Sequence, residues 1–157
     1  MHPELDETIE EILRDLLELA RRSLSVDVAF VGRFADGRRE LLTVSAGDPA
    51  VAASLEGIDA PLDETYCARI VDRSLPEVTP DTSLVPELVA LAVTDTLRIG
   101  SYIGVPVGDG HGGIFGTVCA YSHGPLEEVS PEDLASLEAV GRLLEHWLGA
   151  WNRPRGA

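Results

Sequence analysis

Two cysteines, Cys67 and Cys119, are the strongest nucleophiles in this chain. A thiol attacks or binds metal only as its thiolate, which needs a nearby cation, hydrogen-bond donor or metal. Neither cysteine belongs to a CxxC, and neither has a histidine beside it in sequence. His2, His111, His123 and His146 are scattered. The sequence therefore assigns no metal site and no catalytic residue. Both thiols are expected to be reduced and largely buried, since free cysteine is among the most buried residue types.

Arginine and tyrosine offer binding chemistry instead. An Arg clamps phosphate or carboxylate with two parallel hydrogen bonds, and Tyr66 and Tyr102 can stack on a ring. Arg69, Asp81, Arg98 and Tyr102 are the polar candidates for a pocket. The competing reading pairs Arg69 and Arg98 with nearby acids such as Asp63, Glu64 or Asp95. Acids outnumber bases 27 to 12, and every base is Arg. A net charge of −15 repels phosphate backbones, which argues against nucleic-acid binding. Gly108, Gly110, Gly112 and Gly113 lie between two strands and lack GK[ST], so they form a hairpin loop and not a phosphate loop.

The elements that must position these groups are legible from periodicity. Leu5, Ile9, Ile12, Leu13, Leu16, Ala20 and Leu24 recur at helical spacing and predict a helix over 4–24. The segments 26–34 and 39–46 read as a hairpin turned at Asp36-Gly37. Short helices are expected over 49–56 and 64–73, an extended piece over 75–81, and helical structure over 83–96. Two strands, 101–107 and 114–122, follow. By alternation, Phe115, Thr117, Cys119 and Tyr121 share one face, and Ile114, Gly116, Val118 and Ala120 the other. Ser130 and Pro131 start a last helix. There Leu134, Leu137, Gly141, Leu144, Leu148 and Trp151 make a heptad-like seam, and Val140, Leu143 and Trp147 a second stripe. The order implies an α+β domain with a mostly antiparallel sheet. One domain over 1–157 is expected, with its core at about 5–150 and a frayed tail at 152–157. An acidic N-terminus and the lack of any apolar stretch of about 18 residues point to the cytoplasm and away from membranes.

Three strings carry a family resemblance. The first runs from Pro61-Leu62-Asp63 through Tyr66-Cys67 to Pro80-Asp81. The second is Ile99-Gly100-Ser101-Tyr102-Ile103-Gly104-Val105-Pro106-Val107. The third is Gly116-Thr117-Val118-Cys119. Together they resemble the GAF family, sensory domains related in architecture to PAS domains, and in particular those of bacterial signalling proteins. The resemblance implies a central antiparallel sheet of five or six strands. Terminal helices would pack on one face, and short helices and loops of 50–98 would roof a pocket on the other. It also implies a dimer through the terminal helices. Bilin-binding members usually carry a Cys-His pair in the helix of Cys67, where this chain has Ala68. Free-methionine-sulfoxide reductases of the family carry additional cysteines before the GVPV-type strand, where this chain has none.

The reading is thus a non-catalytic sensory or regulatory domain that binds a small molecule and signals through a helical dimer interface. A thiol redox enzyme using Cys67 and Cys119, and an empty dimerisation scaffold, are the alternatives. The expected ligand site comprises Tyr66, Cys67, Asp81, Tyr102, Cys119 and Tyr121 between the sheet and 61–98, with Arg69 and Arg98 near its mouth. No cofactor is named by the residues. If Val, Leu and Ile of 85–93 fill that space, no pocket remains.

Overall fold

The computed structural model describes residues 7–151, and only the backbone of Trp151. Leu5, the Trp151 side chain of the expected seam and the tail 152–157 lie outside the described residues.

Helix α1 (Glu7–Leu24) has Glu7 and Glu10 in its first turn and Arg21 and Arg22 in its last. These charges oppose the helix dipole at both ends. β1 (Val28–Ala35) and β2 (Arg38–Ala46) pair antiparallel. Their turn residues Asp36 and Gly37 have φ of 54° and 73°, the left-handed pair that matches strand twist in a two-residue hairpin. Helix α2 (Pro49–Leu55) is capped by the Asp48 carboxylate, which accepts from the Ala50 N–H at 2.9 Å. β3 (Asp59–Pro61) then adds a short edge strand to β2, one that the sequence reading did not anticipate.

Helix α3 (Tyr66–Val71) starts at the Thr65 cap, and β4 (Val78–Thr79) follows. The helical structure expected over 83–96 is broken. It forms a tight turn at 82–84, α4 (Pro86–Val89) and α5 (Ala92–Thr96). Pro86 fits only the start of a helix, and Leu91 is extended at φ −79° and ψ 130°. β5 (Ser101–Gly108) and β6 (Ile114–Ser122) form the second hairpin. α6 (Pro131–Trp151) begins with a reciprocal cap. The Ser130 hydroxyl accepts from the Asp133 N–H at 3.1 Å, and the Asp133 carboxylate accepts from the Ser130 N–H at 3.2 Å.

The six strands form one antiparallel sheet in the order β3-β2-β1-β6-β5-β4. Each face carries its own apolar core. On one, α1 and α6 pack together and against Ala29, Val31, Ile103, Val105, Val118 and Ala120. Leu13, Leu17, Ala20 and Leu24 of α1 and Leu137, Val140, Leu144 and Leu148 of α6 are buried there. Of the second stripe on α6, Trp147 is half-buried and Leu143 exposed. Ile12 and Leu19 of α1 are exposed as well.

Two bulges re-phase the sheet. In β2, Val31 faces Thr43 but Gly32 faces Leu41, so Leu42 is an extra residue. In β6, Val107 faces Gly116 but Gly108 faces Ile114, so Phe115 is extra. An unpaired residue breaks the alternation of faces. Phe115 consequently packs in the core of the terminal helices, not on the face of Cys119 and Tyr121 where strict alternation places it.

Candidate functional site

The second core lies under the short connecting helices. Tyr66, Cys67 and Ile70 of α3 and Leu88 of α4 meet Val28 and Phe30 of β1, Leu41 and Val44 of β2, Tyr102 of β5, and Cys119 and Tyr121 of β6. Five of the eight expected ligand residues are therefore assembled in one place, and all five are buried. Tyr66 lies on Tyr102 with ring centroids 4.6 Å apart. The Tyr66 hydroxyl is 2.6 Å from Thr94 Oγ1. Tyr121 meets Phe30 edge-on at 6.4 Å.

The remaining three sit at the periphery, Arg69 apart from the other two. Asp81 and Arg98 line an open groove of about 490 Å³ with Thr82, Thr94 and His123. Asp81 caps the following turn by accepting from the Ser83 N–H at 3.0 Å. Arg98 has a left-handed backbone, φ 57°, and its carbonyl accepts from His123 Nδ1 at 2.8 Å. Arg69 lies on the opposite flank of the lid. It pairs with Glu87 at 2.7 Å and donates to the Asp63 and Thr65 carbonyls at 3.1 and 2.8 Å. An acid does hold Arg69, though its partner is Glu87, outside the set expected.

The interior is close-packed around its thiols. Cys67 Sγ lies 3.9 Å from Cys119 Sγ and 3.4 Å from the Tyr102 hydroxyl. The Cys119 S–H has a second acceptor in Thr117 Oγ1 at 3.2 Å. A methyl group added at Gly104, opposite Cys119 in β5, would stand 3.1 Å from Cys119 Sγ and 3.1 Å from Ile70 Cγ1. Leu88, fully buried, roofs the same cluster.

Sequence reasoning missed Arg39. This guanidinium is 3 % exposed. Its Nη1 donates to Cys67 Sγ at 3.8 Å, and it lies 5.9 Å from the Phe30 ring centroid. Its Nε is buried without a hydrogen-bond partner, and among the described residues it forms no ion pair with a carboxylate. A buried cation is costly unless an anion faces it. The ionisable group it touches is Cys67. Burial alone pushes the Cys67 thiol up, but the hydrogen bond from Cys119 and the Arg39 charge outweigh it and draw the thiol down to about 5. Cys119 is pushed well up by its own burial and by Cys67. Tyr102 is held well above its ordinary value by burial and the two sulfurs. Burial and Asp27 raise Tyr121 to about 12. The site is thus a buried pair of thiols facing a buried cation that favours the thiolate of Cys67. Looking for a histidine beside Cys67 along the chain does not find this arrangement, because the cation arrives from β2.

A family model for the GAF domain matches residues 8–146. The chain belongs to the GAF domain family. No curated protein matches it. Among solved structures it is similar to the phycocyanobilin-bound GAF domain of a cyanobacterial phytochrome. That match has 14% identity and a TM-score of 0.74, covering 98% of this chain and 90% of the other. It is similar to the blue-light-absorbing PixJ GAF domain of Thermosynechococcus elongatus, at 15% identity and a TM-score of 0.69, covering 92% and 86%. The GAF domain of an Acinetobacter phosphoenolpyruvate-protein phosphotransferase is similar at 15% identity and a TM-score of 0.68, covering 90% and 82%. At such identities the likeness is one of fold. Among the described residues of this GAF domain, no helix is long and apolar enough to cross a membrane. Nor do those residues include a group of three or more His, Cys, Asp or Glu placed to hold a metal ion.

Proposed function

We propose that this GAF domain is a non-catalytic sensory or regulatory module of a cytoplasmic signalling protein, binding a small molecule on the lid side of its sheet. The bound state passes to the terminal helices, which pair with those of a second copy. Neither nucleic acid nor membrane takes part. The observation that carries the reading is a continuous contact from surface to sheet. Thr94 lines the open groove, its hydroxyl meets that of Tyr66, and the Tyr66 ring lies on Tyr102 of β5. A ligand seated among Asp81, Arg98 and His123 touches the same lid segment that packs over Tyr102, Cys119 and Tyr121. On the far face, the exposed Ile12, Leu19 and Leu143 supply apolar surface for the helical dimer.

The phycocyanobilin named in one of the solved neighbours does not fit this interior. Cys67 is fully buried and followed by Ala68, and the space at Gly104 does not admit even a methyl group without displacement. The same close packing favours a second reading, in which the interior stays closed and dimerisation is the whole task.

Thermal-shift screening with nucleotides, carboxylates and amino-acid metabolites, joined to native mass spectrometry, separates the two. A ligand at 100 times its Kd stabilises by about 2.7 kcal/mol, a rise of about 5–11 °C in a domain of this size. That rise should shrink in Arg98→Ala. A dimer that no compound stabilises supports the scaffold, and a monomer indifferent to every compound defeats both.

A further inference from the structure

The thiol pair under the lid has a chemistry that needs no bound ligand and stands apart from the sensory reading above. Cys67 and Cys119 come from α3 and β6, 52 positions apart in the chain, yet their sulfurs are 3.9 Å apart. A disulfide spans about 2.05 Å between sulfurs, so an approach of about 2 Å by a six-residue helix closes the bond. Both ends of the reaction are provided for. Arg39, buried and lacking a carboxylate, faces Cys67 and favours its thiolate, the attacking form. Cys119 keeps its proton and waits at contact distance as the resolving thiol.

We propose that Cys67 and Cys119 form a two-electron redox couple, in which a hydroperoxide oxidises Cys67 and Cys119 closes it to a disulfide joining α3 to β6. In the first step the Cys67 thiolate attacks one peroxide oxygen. The S–O bond forms, the O–O bond breaks, and the departing alkoxide or hydroxide takes a proton from solvent. In the second step the Cys119 sulfur attacks the Cys67 sulfenic acid. The S–S bond forms, the S–O bond breaks, and hydroxide leaves as water with the Cys119 proton. Two thiols are oxidised by two electrons and the peroxide is reduced to an alcohol, or to water, and a second water.

Both sulfurs are fully buried, so the oxidant enters when the lid opens. That lid consists of helices of four to seven residues, whose few internal hydrogen bonds make local opening cheap. The consequence reaches the other face through β6, because Val118 and Ala120, which flank Cys119, pack under the terminal helices.

The test treats the native chain with hydrogen peroxide, then denatures it, alkylates remaining thiols and measures intact mass without reductant. The expected result is a fall from two alkylatable thiols to none within a single chain, reversed by dithiothreitol, with peptide mapping linking Cys67 to Cys119. Cys119→Ser should stop at a sulfenic acid on Cys67 that dimedone traps. Cys67→Ser should leave Cys119 unreacted over the same interval, with circular dichroism confirming that both variants fold. Should a variant fail to fold, the wild-type mass decides alone. Two thiols surviving in peroxide, a link between two chains, or sulfinic acid in place of the bridge would each overturn the proposal.

Discussion

Replacing Arg39 by Met removes the cation beside Cys67 and keeps a flexible stem in a buried position. With Cys67 drawn down to about 5, its thiolate is the favoured form at pH 7. Without Arg39, the hydrogen bond from Cys119 still opposes burial but the cation no longer does, so the thiol moves up and its thiolate fraction at pH 7 falls. Thiolate ultraviolet absorbance, titrated in wild type, Arg39→Met and Cys67→Ser, reads this directly. The wild-type step should lie near pH 5, vanish in Cys67→Ser, and move to higher pH in Arg39→Met. Stability carries the same signature. A depressed thiol adds stability that is complete above its unfolded value of about 8.5 and is lost as pH falls through about 5. Cys119, shifted upward, adds stability that is complete below about 8.5 and lost at higher pH. Urea unfolding of the wild type should therefore strengthen from pH 5 to 8.5, and Arg39→Met should flatten that rise. An unchanged thiolate step in Arg39→Met, or a wild type without thiolate at pH 7, refutes the ion-pair reasoning.

Two further outcomes follow from packing. Leu88→Ala removes a fully buried side chain from the lid core and should cost about 2–5 kcal/mol in chemical denaturation. A loss below about 1 kcal/mol would show that the lid contributes little to global stability. Gly104→Ala forces a methyl to 3.1 Å from Cys119 Sγ and should cost about 1–3 kcal/mol while hastening alkylation of both thiols. Unaltered alkylation would mean that the pair tolerates displacement.

The elements were legible wherever periodicity ran unbroken. Both hairpins, both long helices and the division of the sheet between terminal helices and lid follow from Leu13, Ala20 and Leu144 at helical spacing and Val118 alternating with Cys119. The apolar run 83–96 looked helical because composition does not show that Leu91 turns extended between two short helices. Of the site, the gathering of Tyr66, Cys67, Tyr102, Cys119 and Tyr121 was foreseeable from alternation and the family strings. Arg39 was not. Counted back from Val44 by strict alternation, Arg39 falls on the side of the terminal helices, and the extra residue at Leu42 brings it to the lid. The available signal was its place two residues from Leu41 in a strand otherwise charged at its start. Nearness in sequence to α3 and β5 suggests Asp81 for the lining and Arg69 and Arg98 for one mouth, but it says nothing about which flank of the lid each reaches.

The bulges at Leu42 and Phe115 have a consequence for how this chain can change in length. Deleting a residue from a regular stretch of β2 or β6 would turn everything beyond it inside out. Loss of Leu42 would leave Leu41 against Gly32 and Thr43 against Val31, so every neighbour keeps its face and Arg39 stays beside Cys67. Loss of Phe115 would equally preserve the facing of Ile114 and Gly116, although it empties a buried aromatic position. Loss of one residue should therefore be tolerated at Leu42, at a cost set by one half-buried side chain, and rejected in the regular stretches of β2 away from the bulge.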